Sequence, residues 1–379
     1  MGLNVVVAGG GVGGLTAAIA LGQQGHNVVL YEKATSFSEV GAGLSLCPNA
    51  LAALSCLGLE NPVMACGRWE DQGAIRSSRG EVLREVDNAN LMIRRSDLQK
   101  VLLGAMEDIP IVLGARCTGI TGNAQAPGLR FEDGSSSEAD LVIGADGIRS
   151  AVRQSIAPHE AAPRYSGLCA WRGIVSAPGL VDNAWLSVGE GLQFMAAPLP
   201  EGHVYWSPLV RLKEGRWEYI EDHRRYLLDR FRGWHEPIPT LLDRTAADAL
   251  IPTPVYFRPP PKWMTSGRVA LIGDAAHPMT PDLGQGGCQA IEDAVVLADC
   301  LSRSSDIAFA LSEYQDRRLV RIRRVVREAR QLGVVMAEPR HVLARLRTTA
   351  LRSIPAGLTE HRLSAITARE AFEAQLGVP

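Results

Sequence analysis

Residues Leu3 to Lys33, LNVVVAGGGVGGLTAAIALGQQGHNVVLYEK, admit few architectures. An apolar β-branched run, Val5 to Val7, meets a cluster of glycines. A small-residue helix pattern follows, and a second apolar run ends in Glu32. Gly9, Gly11 and Gly14 fit G-x-G-x-x-G, and an acid about 20 residues further on completes the fingerprint of a dinucleotide turn. Gly9 permits the tight strand-to-helix turn, Gly11 lets backbone approach a pyrophosphate, and Gly14 lets the helix pack close to the sheet. The free N–H groups and positive dipole end of the helix favour phosphate. Glu32 is placed to accept hydrogen bonds from a ribose. Val12 and Lys33, next to these positions, are further candidate cofactor contacts. A glycine turn alone can be merely structural; strand, glycines, helix, strand and acid together predict a dinucleotide site.

Length and composition narrow the class. The 379 residues allow one large domain or two ordinary ones, and 46% hydrophobic with 21% charged residues describes a soluble globular chain. A net charge of −2 offers no electrostatic reason to expect nucleic acid or an anionic membrane. The seven cysteines (47, 56, 66, 117, 169, 288 and 300) are dispersed, with no C-x-x-C pair and no zinc-ligand spacing. No metal site is expected, and the set reads as reduced, buried thiols in a cytoplasm. The N-terminus is apolar but lacks a basic leader, so it reads as a strand rather than a signal peptide. No apolar run reaches ~18 residues, so no membrane span is expected.

Further along, Val40 to Ala50 reads as a glycine-containing loop, suited either to packing on a flat ligand (Gly43) or to a simple turn before a helix at Ala50 to Leu57. Residues 68–92 alternate as short antiparallel strands. Ile93 to Met106 starts a helix with Ser96 as its N-cap; Arg94 and Arg95 before it are either solvated or a phosphate contact. Residues 111–145 read as a strand meander ending in a buried strand, Leu141 to Ala145. DGIRSAVR (Asp146 to Arg153) repeats the pattern of an acid at a strand end followed by a helix. From Gly167 to Pro261 most of the tryptophans appear, with several β-type segments and one helix, Trp217 to Phe231. This predicts an inserted, mostly antiparallel sheet, whose aromatics read as core rather than a ligand platform, the sheet itself being a natural lid for an apolar pocket. Val269 to Ile272 is a buried strand ending in Gly273-Asp274. A proline-braced loop then leads to Gly284-Gln285-Gly286-Gly287 and a long helix, offering an acid for a polyol and a helix N-terminus for an anionic centre. The helix Ser312 to Val335 carries seven arginines and an apolar stripe, and reads as a solvated amphipathic helix rather than a nucleic-acid surface. The tail, 338–379, reads as one or two more helices.

Three separated motifs, GGGVGG with Glu32, DLVIGADGIRSAVR (Asp140 to Arg153) and LIGDAAHPMTPDLGQGG (Leu271 to Gly287), together resemble the class A, single-component FAD-dependent aromatic hydroxylases. The likeness spans residues 3–330 in the same order. It implies an α/β fold: a Rossmann-like FAD-binding domain of the glutathione-reductase-like, p-hydroxybenzoate hydroxylase type, with an inserted antiparallel substrate sheet and C-terminal helices. The corresponding division is 1–70, 93–166 and 262–335 for FAD, 71–92 and 167–261 for substrate, and 336–379 as a helical segment.

Carried over position by position, the resemblance implies that Gly9, Gly11 and Gly14 hold the ADP pyrophosphate and Glu32 the adenosine ribose. Arg95, with Gln99 on the same helix, contacts FAD. Asp146 belongs to a DG motif serving FAD and NAD(P)H, and Gly273-Asp274 binds the ribityl chain. Gly284, Gly286 and Gly287 aim the helix dipole at the flavin N1–C2=O edge. The family reduces FAD with transiently bound NADPH or NADH. It then captures O2 as a flavin C4a-hydroperoxide and transfers oxygen to an electron-rich aromatic carbon. A single G-x-G-x-x-G fits this scheme and counts against the disulfide reductases. Pro281 is expected at the oxygen-reacting face.

Tyr205 and Asp282 are the candidate substrate-activating groups; a strand tyrosine is more often a core residue, and His277 reads as a loop brace rather than a base. The wording around Asp282 looks most like the urate hydroxylase and salicylate hydroxylase branch. There a matching tyrosine, acid and arginine contact the purine, and Gln193 stands at the arginine position. Loss of the guanidinium fork points away from urate toward a more neutral phenol, hydroxyquinoline or other heteroaromatic, with salicylate-like acids, which several hydroxylases of the family take, as a further substrate class. Epoxidation or oxidative rearrangement of a larger natural product is the alternative, and a non-catalytic FAD module the third. A monomer or a homodimer fits equally.

Overall fold

The computed structural model describes residues 2–37, 42–106, 108–353 and 363–377. Val40 and Gly41 of the glycine loop, and residues 354–362 of the tail, lie outside the described residues. In chain order the N-terminal part runs β1 (Asn4–Ala8), α1 (Val12–Gln23), β2 (Asn27–Glu32), β3 (Gly43–Leu46), α2 (Pro48–Ser55), α3 (Glu60–Ala65), β4 (Arg68–Ser77), β5 (Val82–Arg94) and α4 (Arg95–Gly104). Then follow β6 (Ile111–Leu113), β7 (Cys117–Gly122), β8 (Pro127–Phe131), β9 (Leu141–Gly144) and α5 (Ala151–Ile156). The middle holds β10 (Arg164–Ala170), β11 (Gly173–Ser176), β12 (Ala184–Val188), β13 (Leu192–Leu199), β14 (His203–Arg211), α6 (His223–Arg230), α7 (Ile238–Arg244) and β15 (Thr253–Phe257). The last third is β16 (Thr265–Ser266), β17 (Val269–Leu271), α8 (Gly286–Arg303), α9 (Ile307–Met336), α10 (His341–Ser353) and α11 (Arg369–Leu376).

A six-stranded sheet has the order β16-β17-β9-β1-β2-β6, parallel except at β16. Its central strands are apolar along their length, as a sheet covered on both faces requires. The second sheet runs β15-β10-β14-β13-β12-β4-β5-β3, with β11 on β14. It is antiparallel except where β4 meets β12. One face carries Trp171, Trp185, Phe194 and Trp206 in a core completed by Phe231, Leu241 and Leu242 of the α6–α7 region. The aromatics are therefore core, not a ligand platform. The opposite face carries Met92, Ala197 and Tyr205.

Several local expectations are corrected. The glycine loop contains β3, which pairs with β5 and so joins the second sheet rather than the first. Residues 111–145 are not one meander: β6 and β9 enter the parallel sheet, while β7 and β8 form a two-stranded sheet of their own among the described residues. Ser96 does not cap α4; Arg94, in extended backbone, holds the N-cap place, and Asp97 supplies the first-turn acid. After Asp146 the helix starts only at Ala151, with Ser150 Oγ accepting from Arg153 N. Trp217 to Phe231 is broken: a 3-10 turn, Arg216–Tyr219, precedes α6, which Asp222 caps. α9 begins five residues earlier than expected, because Asp306 accepts from Ala308 N and Phe309 N. Cys56 is exposed and Cys66 and Cys117 only partly buried, so the thiols are free but not all interior.

Candidate active site

The glycine turn has the geometry its spacing predicts. Gly9 sits at φ +107°, a conformation that disfavours a side chain, and a Cβ there would lie 2.4 Å from Ala145 O. A Cβ on Gly14 would lie 1.9 Å from Gly9 O, so α1 rests directly on the turn. Gly11, the N-cap of α1, differs: among the described residues, nothing beyond its chain neighbours lies within 4 Å of where its Cβ would be. That open space in front of uncapped helix amides is a cradle for an anion. Glu32 braces the turn, its Oε2 accepting from Gly10 N at 2.6 Å and its Oε1 from Ala34 N at 2.8 Å. Each carboxylate oxygen keeps further acceptor capacity. Val12 is half-buried at the start of α1, and Lys33 is exposed.

A second wall comes from α4 and the segment after β17. Arg95 is exposed at the first position of α4, and Gln99 lies one turn on, half-buried. Asp274 is exposed although it lies deep in the molecule, the signature of a residue lining a cleft. Its surroundings push its carboxyl up, against a downward pull from His277 and from the Arg95 guanidinium across the cleft. Gly273 turns the chain at φ +55° and donates to Asp293 Oδ2 at 2.8 Å. The 3-10 turn Pro281–Leu283 and Gly284, at φ +63°, then lead into α8. Pro281 and Gly284 are exposed. Among the described residues a Cβ on Gly286 would have nothing within 4 Å beyond its chain neighbours and its own helix backbone, whereas one on Gly287 would touch Leu44 at 3.3 Å. The first turn of α8 thus also faces an open cradle.

Asp146 caps rather than reaches out: its Oδ2 accepts from Ala151 N at 2.7 Å and Val152 N at 3.2 Å. Its Oδ1 is buried without a partner among the described residues. Burial raises its pKa, opposed by those hydrogen bonds. Gly43 acts by being small: a Cβ there would fall 2.4 Å from Tyr205 Cγ, so the Tyr205 ring lies on β3.

On the substrate-side face, Gln193 pairs with Leu209 and Tyr205 with Ala197 across β13 and β14, so both point the same way. Asp282 reaches this face from the Pro281 turn. Burial pushes its carboxyl up; Thr280 and Gln193 lie close enough to pull it back, but neither attains hydrogen-bond geometry. Asp282 Oδ1 and Oδ2, Thr280 Oγ1 and Gln193 Nε2 are all buried and unpartnered among the described residues. Gln193 and Asp282 therefore meet, while Tyr205 stands further along the sheet, against β3.

Beneath α8 lies a buried charge cluster absent from the sequence expectations. Arg318 of α9, read as solvated, is completely buried. Its Nε bonds Asp293 Oδ1 at 2.6 Å, and its Nη1 pairs with Glu292 Oε2. Arg321 reaches both Glu292 oxygens at 2.7 Å. His277 Nε2 lies 2.6 Å from Asp293 Oδ2, so His277 is the loop brace anticipated. Arg153 Nη1 donates to Ala275 O at 2.9 Å and Ala276 O at 2.6 Å from the other side. Burial alone would raise the Glu292 and Asp293 carboxyls; Arg318 and Arg321 on Glu292, and His277 and Arg318 on Asp293, overcome it and hold each at about 2. A signal existed: Leu311, Tyr314, Arg318 and Ile322 share one helical face.

A parallel sheet with a glycine turn at one strand end, and a glycine-opened helix with a strand-end acid across the same cleft, define a flavin-dinucleotide enzyme. The FAD binding domain family matches residues 2–221 and 260–329. The aurachin C monooxygenase/isomerase of Stigmatella aurantiaca is 41% identical over 345 residues, covering 88% of this chain and 90% of that one. The FAD-dependent urate hydroxylase of Klebsiella pneumoniae is 35% identical over 344 residues, covering 87% and 89%. The structure of Klebsiella pneumoniae HpxO complexed with FAD and uric acid superposes with a TM-score of 0.88 at 30% identity, covering 96% of each chain. The chain belongs to the FAD-dependent aromatic monooxygenase family, and FAD is its cofactor. No helix among the described residues is long and apolar enough to cross a membrane.

Proposed function

We propose that the protein uses NAD(P)H and O2 to hydroxylate a small aromatic or heteroaromatic compound. Bound FAD supplies the redox chemistry, reduction by the nicotinamide and transfer of one oxygen atom from O2 to carbon. The chain supplies position, charge and dryness. Gly11 and Val12 open the α1 N-terminus to the pyrophosphate, with Gly9 and Gly14 shaping the turn that presents it; Glu32 and Lys33 address the ribose; Arg95, Gln99 and Asp274 bind the remainder, with Asp146 and Gly273 fixing the backbone around it. The amides of Gly284, Gly286 and Gly287 stabilise negative charge on the flavin's polar edge. Pro281 lines the oxygen-reacting side. Tyr205, Gln193 and Asp282 orient the substrate, Asp282 accepting a proton or hydrogen bond from a ring N–H or phenol.

One observation carries this reading: the unpartnered acceptors of Asp282 face the unpartnered donor of Gln193, a neutral amide, on the sheet face beside the cleft. That pairing favours a neutral heteroaromatic over a carboxylate or urate anion. A second reading, oxygenation coupled to rearrangement, takes support from the relative named a monooxygenase/isomerase.

The test is NADPH and NADH oxidation by the FAD-loaded protein with phenols, hydroxyquinolines, hydroxybenzoates and purines, under 18O2. Stimulation with a product heavier by one labelled oxygen supports hydroxylation. An oxygenated product with a rearranged skeleton supports the second reading. FAD binding with no stimulated oxidation by any compound contradicts both.

A further inference from the structure

The last turn of α9 contains a buried glycine, Gly333. A glycine within a helix costs about 1 kcal/mol relative to alanine. No turn accounts for this one: the helix runs through it, and its carbonyl accepts from Ala337 N. Space accounts for it. A Cβ at Gly333 would lie 2.3 Å from Asp282 Oδ2, 2.7 Å from Cγ and 2.9 Å from Oδ1. The carboxyl of Asp282 thus lies against bare helix backbone. Neither of its oxygens has a hydrogen-bond partner among the described residues. Packing, not hydrogen bonding, holds it. Arg330, on the preceding turn, lends favourable charge but is engaged over the Phe257 ring at 4.4 Å.

We propose that Gly333 is the positioning residue for Asp282: a notch in α9 that seats the carboxyl with its lone pairs free, beside the donor of Gln193. The pair then matches a planar ring presenting a donor and an acceptor on one edge, as a ring lactam or its hydroxy tautomer does. The inference rests on the reading that Asp282 meets substrate. Because the clashing atoms end a short side chain, Gly333→Ala displaces the carboxyl and leaves the helix in place.

The experiment uses FAD-loaded wild type, Gly333→Ala, Asp282→Ala and the double variant. The readouts are crystal structures, FAD affinity, and titration of the flavin absorbance with 2-hydroxyquinoline. Gly333→Ala keeps wild-type FAD affinity and an unaltered α9, while the Asp282 carboxyl moves by ~1 Å or more; the hydrogen bond to the ligand lost by that shift weakens 2-hydroxyquinoline binding about tenfold. The double variant binds no more weakly than Asp282→Ala, because Gly333 acts only through Asp282. An Asp282 carboxyl unmoved in the Gly333→Ala crystal, or additive losses, overturns the notch. No saturable flavin perturbation in wild type overturns the donor–acceptor match. Asp282→Ala binding 2-hydroxyquinoline as wild type does contradicts the substrate-contact reading itself, whereas loss in Asp282→Ala with none in Gly333→Ala contradicts only the notch.

Discussion

At the scale of single residues, Asp282 shows how burial sets chemistry. Its carboxyl is pushed above the ordinary carboxylate range by burial. The folded state therefore binds a proton more tightly than the unfolded chain, and Asp282 costs stability once pH exceeds its ordinary pKa. Asp282→Asn is expected to raise Tm at pH 7 relative to wild type, and the gain should vanish near pH 3, which thermal melts at both pH values would reveal. If the ionised form accepts the substrate proton, kcat/KM of wild type falls as pH drops through the raised pKa. The Asn variant should lack that acid limb. The position of Asp282 was legible in the Pro281-Asp282-Leu283 turn, Thr280 stands at the start of that turn, and the family resemblance set Gln193 beside it. Gly333 was not legible: it comes from α9, and no spacing in the chain announces that it meets Asp282.

Among the elements, the turn between β1 and α1 gives Gly11 and Gly14 the different surroundings that their separate roles require. Gly14 has no room for a methyl group, whereas Gly11 faces open space. Gly14→Ala forces carbon against backbone oxygen, an overpacking that costs ~1–3 kcal/mol and lowers the Tm of apoprotein as well as holoprotein. Gly11→Ala, in extended backbone, should leave the apoprotein Tm unchanged while FAD affinity falls about tenfold, roughly 1.4 kcal/mol, by fluorescence titration. Equal apoprotein melts for the two variants would contradict the distinction. The strands and helices of this turn were readable because period, glycines and acid all agree locally. The broken helix before α6 and the extra strand β3 were not, since a 3-10 turn and a sheet-edge pairing depend on tertiary partners.

For the whole molecule, the buried cluster under α8 ties distant segments to the cleft. Glu292 and Asp293 hold Arg318, and Asp293 also fixes the Gly273 amide and His277. α11 joins in, Gln375 Nε2 donating to Glu292 Oε2 at 3.0 Å. Both carboxyls sit at about 2, below their ordinary values. They stabilise the fold fully above the ordinary carboxylate range, and that stability is lost as pH falls toward about 2. Arg318→Met leaves two buried carboxylates short of a cation, and its cost should be ~3–5 kcal/mol at pH 7 by denaturant unfolding. A cost below about 1 kcal/mol, typical of an exposed pair, would contradict the buried assignment.

The order of residues along the chain was enough to determine the dinucleotide turn, the strand-end acids and the glycine-opened helix, because each is a local conformational requirement written in neighbouring positions. Tertiary structure alone decided which face of the second sheet meets the cleft, that Arg318 is interior, and that Gly333 abuts Asp282. Those are questions of which distant groups share a low-dielectric space. The affinity of a buried charge or an unpaired carboxyl for its surroundings is fixed by partners tens or hundreds of residues away, not by its neighbours in sequence.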